Sequence, residues 1–309
     1  MKTKWKITPY LFLLPALIII VAFRLIPIVM SFILSFFDWS LQGTGKFIGL
    51  TNYATMIKDP VFWQSMGNTF WLVVILVPAT IVLSLFFAVL LNKIKYFKSM
   101  FRMVYFMPFV TSLVAVSIVW KLMFNEQTGL INTFLGYVGI APQAWLAEYR
   151  GIFVLMFPQL ESLPRFFHGP SQALFAIIIM TVWKGLGYNT IIYLAGLQNI
   201  SKTYYEAAEV DGAGKLRQFW NITVPLISPT TFYVLIMTTI TSFQTFSQVY
   251  LMTNKGGPLN TTKLIVYYIY ERGFDLLEMG YASAVALALF IIILMLTIFQ
   301  RKMEKHVNY

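Results

Sequence analysis

Long apolar stretches alternate with short polar ones along this chain. Six of them, at 11–36, 68–91, 104–124, 174–197, 226–248 and 281–300, are mostly apolar throughout. Each reaches the ~20 residues that carry an α-helix across the ~30 Å hydrocarbon core of a bilayer. None shows the alternating ~10-residue segments of a membrane β-barrel. The pattern predicts an all-α membrane protein with six transmembrane helices in a single membrane domain, 1–309, with both termini on one side. Stretch 11–36 is too long for the core of a signal peptide, and "SFFDWS" is no small-residue cleavage site, so it is read as a retained first span.

Composition agrees with this reading. The chain is 58% hydrophobic and 11% charged, with 28 Phe. The absence of cysteine excludes disulfides, cysteine metal sites and thiol chemistry. The net charge of +11 would suit a nucleic-acid binder in a soluble protein. In a membrane protein, basic loops on the cytoplasmic side account for it instead. Lys2, Lys4, Lys6, Lys93, Lys95, Lys98, Arg102, Lys202, Lys215, Arg217, Arg301, Lys302 and Lys305 fall on the side of the termini. Lys46, Lys58, Arg150, Arg165, Lys255, Lys263 and Arg272 fall in the longer loops opposite. That bias predicts cytoplasmic termini.

The loop between the fourth and fifth spans breaks the apolar pattern with "EAAEVDGAGKLRQFWNITVP", residues 206–225. Thr203 and Glu206 have the spacing of a capping box, and Gly212 can end a short helix. "KLRQFWNI" suggests a further helical turn, and Pro225 and Pro229 would open the fifth span. "GAGK" is not a phosphate-binding loop: Glu209 stands where the first glycine is needed, and Leu216 follows Lys215. ATP hydrolysis is therefore expected on another chain.

The run Glu206, Ala207, Ala208, Gly212, Ile222 and Pro225 resembles the EAA signature of bacterial ABC-importer permeases, with Val224 where Leu is usual. "PYLFLLPALI" at 9–18, "FIGLTNY" at 47–53, "LAGLQNISKTYYEAAEVDGAG" at 194–214 and "MGYASA" at 279–284 are similar to carbohydrate permeases of the maltose and multiple-sugar type. The resemblance implies a type I importer fold with a core at 65–300 and a coupling loop at 199–225. It also implies a second permease subunit, a cytoplasmic ABC ATPase dimer that holds ATP and Mg, and an extracytoplasmic solute-binding protein. No cofactor is expected in this chain. Glu206, Ala207, Ala208 and Gly212 would couple to the ATPase. Two roles for Glu206 stand open and can coexist: direct contact with the ATPase, or capping its own helix.

Substrate-path candidates come from the fourth and fifth spans. Thr238, Thr241, Ser242, Thr245 and Gln248 follow i, i+3, i+4, i+7 and i+10, one face of a continuous helix. Their hydroxyl and amide groups suit a neutral sugar, and five polar side chains on one stripe are more than interhelical packing, the alternative reading, needs. In "WKGLGYNTIIY", Gly185 and Gly187 are expected to weaken the helix, and Trp183 and Tyr188 offer faces for sugar rings. Relatives use this turn for substrate contact, which singles out Lys184, Gly185 and Tyr188. Lys184 is expected to face a cavity or a partner.

Arg24 lies mid-span, and no Asp or Glu falls inside any of the six stretches. A structural role is the simpler account of it. The loop 125–173 carries an insertion near 150–170 with three open readings: membrane surface, binding-protein contact, or extra packing. His168 and His306 have no metal-spaced partners and are read as surface residues. The absence of intramembrane acids argues against a proton- or sodium-coupled carrier, and no catalytic constellation suggests an enzyme. The expected function is import of a sugar or oligosaccharide through a bacterial plasma membrane, with glycerol phosphate as the rival solute.

Overall fold

The computed structural model describes residues 8–40, 42–43, 45–94 and 97–303. Lys2, Lys4, Lys6, Lys95, Lys305 and His306 lie outside the described residues, as do the side chains of Lys98 and Arg102. Four helices are long and apolar enough to cross a membrane unbroken: Tyr10–Leu34, Pro60–Lys93, Gln172–Gln198 and Met279–Met303. The third expected span is instead a bent pair, and the fifth is entered through a bend at its start. Within helix Lys98–Val110, the segment Met103–Val110 meets helix Leu113–Met123 at 102°, and Lys215–Leu226 meets Ser228–Phe243 at 63°.

The chain forms two compact units. One comprises Met1–Pro60 with Tyr268–Ile292, the other Val61–Tyr267 with Ile293–Tyr309.

The first unit joins two distant sequence blocks. Asn52 donates to the carbonyls of Ser35 (2.8 Å) and Phe37 (3.0 Å), and the Tyr53 hydroxyl donates to Ser35 Oγ. Gly280 passes so close to Phe37 that an added Cβ would lie 1.9 Å from its carbonyl oxygen. Asp59 Oδ2 accepts from Arg272 (2.7 Å), Tyr268 (2.5 Å) and Tyr281 (3.2 Å). Arg272 also bonds Glu278 and lies about 5 Å over both tyrosine rings. Burial, with the Asp59 hydrogen bond, pushes the Tyr268 hydroxyl well above its ordinary pKa, so it stays a donor.

Three helical turns among the described residues widen into π-helix: Val21–Leu25, Phe219–Thr223 and Glu271–Asp275. The first two immediately precede Pro27 and Pro225. A proline ring clashes with the carbonyl four residues back. Those carbonyls, of Phe23 and Asn221, lie inside the widened turns, and Ile26 and Val224 donate five residues back to Val21 and Phe219.

The second unit is centred on helix Gln172–Gln198. Gly185 and Gly187 lie inside it without interrupting it. Gly187 instead admits a neighbouring backbone: a Cβ there would lie 1.8 Å from the Tyr105 carbonyl oxygen. Beside it, Lys184 Nζ donates to the carbonyls of Pro108 (3.0 Å), Phe109 (3.2 Å) and Thr111 (2.7 Å). These belong to the C-terminal end of Lys98–Val110, where carbonyls lack intrahelical donors and the dipole favours a cation. The lysine closes the break in the third span.

This packing makes two outcomes testable. Gly187→Leu forces its side chain into a backbone carbonyl and should cost roughly 1–3 kcal/mol or more as overpacking. At Gly185, where only Asn189 Nδ2 comes within 4 Å of an added Cβ, Ala should be tolerated; equal thermal-unfolding midpoints for the two variants in detergent would contradict the close approach. Lys184→Met should lower the midpoint by the equivalent of about 1.5–3 kcal/mol, the usual worth of hydrogen bonds from a charged donor. An unchanged midpoint would show that the break holds without the lysine.

Candidate functional site

The loop between the fourth and fifth spans is a helix, Lys202–Val210, then a turn, then the base of the fifth span. Its N-cap is Ser201, whose Oγ accepts from the Thr203 amide (3.3 Å) and pairs with Thr203 Oγ1. The expected capping box therefore fails. Counting from Ser201, the third helical position is Tyr204, and Glu206 lies in the second turn where it cannot reach the N-cap amide. Glu206 and Ala207 are exposed and Ala208 is half-buried. Gly212 ends the helix as expected, with φ +77°. Its amide donates to Glu209 and the Ala213 amide to Ala208 (2.8 Å), the double bond pattern of a left-handed C-terminal cap.

Three contacts tie this helix to the turn and to the base of the fifth span. Tyr205 and Thr223 pair through their hydroxyls at 3.0 Å, Lys215 bonds Glu209, and the buried Gln218 side chain donates to the Ala213 carbonyl (3.0 Å). The Lys215 ammonium holds the Glu209 carboxyl below its usual pKa. Around this frame Tyr204, Val210, Leu216 and Trp220 leave large apolar surfaces exposed.

The polar stripe of the fifth span is not one helical face. The helix stops at Phe243, where Gln244 and Thr245 donate three residues back, and Phe246 leaves helical geometry at φ −137° and ψ −62°. Side-chain bonds from Thr241 to Met237 and Thr238, and from Ser242 to Thr239, compete with the ladder just before the stop. Thr245 falls in the break and Gln248 in the next helix, Ser247–Met252. Thr238, Ser242, Thr245 and Gln248 are buried, and Thr241 is exposed.

On the fourth span, Tyr188 stacks on Phe109 at 4.7 Å and 17°, and Trp183 meets Trp120 edge-on at 5.5 Å. Lys184 and Tyr188 thus meet the bend of the third span, with the lysine bonded to three carbonyls rather than facing open space, whereas at Gly185 only Asn189 of the same helix comes within 4 Å of an added Cβ. His168 is also not a bare surface residue: its Nε2 pairs with the Leu163 carbonyl at 2.8 Å.

Sequence reasoning missed Gln64 and Asn68. Their amides donate to Leu259 (2.8 Å) and to Asn260 and Lys263 (2.9 and 3.0 Å). They hold a loop in which Asn254, Lys255, Gly256, Gly257, Leu259 and Asn260 all have positive φ. Their four-residue spacing at the end of a span helix was the available signal.

Residues 80–309 match the family described as binding-protein-dependent transport system inner membrane component. The chain is 33% identical over 305 residues to the arabinooligosaccharides transport system permease protein AraP of Bacillus subtilis, covering 97% of this chain and 89% of AraP. It is 35% identical over 309 residues to the lactose transport system permease protein LacF of Rhizobium radiobacter, covering 97% and 95%. Its fold superposes with a TM-score of 0.78, at 20% identity, on a chain of a bacterial alginate ABC transporter solved with an alginate pentasaccharide-bound periplasmic protein, covering 97% and 94%. A multi-pass helical chain of this fold, matched to that family over its C-terminal three-quarters, belongs to the inner membrane components of binding-protein-dependent transport systems, the permease subunits of ABC transporters.

Proposed function

We propose that this permease imports a sugar or oligosaccharide delivered by an extracytoplasmic binding protein, driven by a cytoplasmic ABC ATPase dimer that docks on loop 199–225. The observation that carries the docking is the loop helix itself. It is capped at both ends by its own chain, yet Glu206 serves neither cap, and Ala207 leaves room for close approach. Exposed Tyr204, Val210, Leu216 and Trp220 supply apolar area beside it. ATP and Mg belong to the ATPase, and both termini lie in the cytoplasm with the loop, in keeping with its lysines and arginines.

The sugar transporters among the relatives support the substrate class. Gly185, Tyr188, Thr238, Thr241, Ser242, Thr245 and Gln248 are the proposed path residues, with Lys184 holding the bend beside them. The buried members of this set become accessible only if the break after Phe243 opens. A second permease completes the path. It is supported by the first span, Tyr10–Leu34, in whose most apolar window no residue is buried, and by Arg24, exposed within it. An unmatched arginine there costs about 2.5–3.5 kcal/mol on insertion scales.

The docking is tested with Glu206→Lys in vesicles containing the whole transporter. ATP hydrolysis stimulated by loaded binding protein should fall about tenfold, equivalent to ~1.4 kcal/mol of lost docking, while the chain still inserts in the membrane. Unchanged stimulation and unchanged uptake would remove Glu206 from the contact.

A further inference from the structure

The segment 151–168 folds as helix Ile152–Met156 and two 3₁₀ turns, Pro158–Ser162 and Arg165–His168. Its ends are closed by the Ile152 amide on the Pro170 carbonyl (2.9 Å) and a bridge between Gly151 and Ser171. It folds back on helix Pro60–Lys93. Trp71 Nε1 donates to the Phe166 carbonyl at 3.1 Å, and the Trp71 ring meets Phe153 and Phe166, each at 5.5 Å. Phe70 meets Phe166 at 5.6 Å, and Phe166 meets Phe167 at 5.8 Å.

The height of this contact is fixed by helix geometry. From Phe70 to Leu91 the helix rises about 32 Å at ~1.5 Å per residue, close to the ~30 Å of bilayer hydrocarbon. Lys93 ends the helix just beyond Leu91. Phe70 therefore stands at the opposite hydrocarbon boundary, and Trp71 beside it suits the headgroup region, as Trp and Tyr do at both interfaces. Phe70, Val74, Val82, Phe86 and Leu90 are all exposed and follow an i+4 ridge, an uncovered apolar stripe that winds about half-way round the helix. The aromatic chain Phe70, Phe166, Phe167 leads directly from the end of that stripe into the inserted segment.

The exposed side chains of the segment match such a location. Met156 (68%), Phe157 (55%), Phe166 (50%) and Phe167 (55%) stand open, while its one acidic residue, Glu161, is balanced by its one arginine, Arg165. Four large apolar groups so close together are costly in water, at about 25 cal/mol per Å² of exposed apolar area.

We propose that segment 151–168 is an interfacial wedge. It lies in the headgroup–acyl boundary of the bilayer with Phe157, Phe166 and Phe167 inserted, and so braces the end of the second span. The occupant of this apolar face is lipid. A substrate-binding protein or a second membrane chain on the same face is the competing outcome.

The natural chain has no cysteine, so Phe157→Cys and Phe167→Cys each carry one nitroxide label. The full-length chain is reconstituted in vesicles of phosphatidylethanolamine and phosphatidylglycerol. Collision with oxygen and with a water-soluble nickel chelate gives the depth of each label, with Val82→Cys as a mid-bilayer reference and Leu216→Cys as a water reference. Both labels should report a depth about 5–10 Å below the headgroup surface, as interfacial elements do. Chelate exposure equal to that at Leu216 overturns the wedge. Protection from both reagents places protein on this face and overturns it as well. Labelled variants that keep the wild-type thermal midpoint exclude misfolding as the source of either result.

Discussion

A carbonyl in hydrocarbon has no water to turn to, and that constraint governs the bent third span. Such a group costs several kcal/mol if left alone. The 102° turn after Val110 exposes the last carbonyls of its helix, and Lys184 answers those of Pro108 and Phe109. The Met107 carbonyl takes both the amide and the hydroxyl of Thr111. Lysine itself is expensive in a membrane, and here one arrangement satisfies both its ammonium and the helix end. The bend in turn sets Phe109 against Tyr188 on the proposed path.

The same helix pair shows why glycine stands where it does. Hydrogen bonds of 2.7–3.2 Å from Lys184 require the third span to run close to the fourth. Gly187, one turn on, grants the approach by having no Cβ to meet Tyr105. Gly196, a further two turns along, lies against Thr230 and Ile227 of the fifth span in the same manner. Small residues thus let the third span approach the middle of this helix and the fifth span its C-terminal end.

Much of this fold was legible in the sequence, because span length is a property of composition alone. Breaks are not: 104–124 reads as one apolar run, and only the partner lysine 73 residues from Thr111 reveals that its carbonyls are turned outward. The fifth span failed for a related reason. Period counting assumes a continuous helix, whereas Thr241 and Ser242 divert hydroxyls to the backbone and the helix stops at Phe243. Gly212 was readable because a left-handed cap is a local demand on one residue. The N-cap slipped by two because Ser201 and Thr203 are chemically equivalent candidates, and the difference moved Glu206 out of its box. The blocks "FIGLTNY" and "MGYASA" carried resemblance without explanation. The structure supplies one: Asn52 and Tyr53 fasten to Ser35, and Gly280 seats on Phe37.

The loop at 199–225 has the construction that the proposed coupling requires. Its helix is closed at both ends, so a push on it moves a unit rather than unwinding a segment. Tyr205 and Thr223, Glu209 and Lys215, and Gln218 and Ala213 link that unit to the helical stretch 215–226. This stretch meets the membrane part of the fifth span at 63°. The corner residue, Ile227, is buried in a cluster with Tyr193, Leu194, Leu197 and Val234, so the two arms pivot on packed side chains. Under the proposed docking, displacement of the loop helix is delivered at the corner, where the backbone already departs from a straight helix. The stretch beyond holds Thr238 and Ser242, ending at the second break after Phe243. Under the proposed docking, a polar loop in an apolar chain, the bend at Ile227 and the polar end of the helix beyond it form one line from the ATPase to the buried hydroxyls.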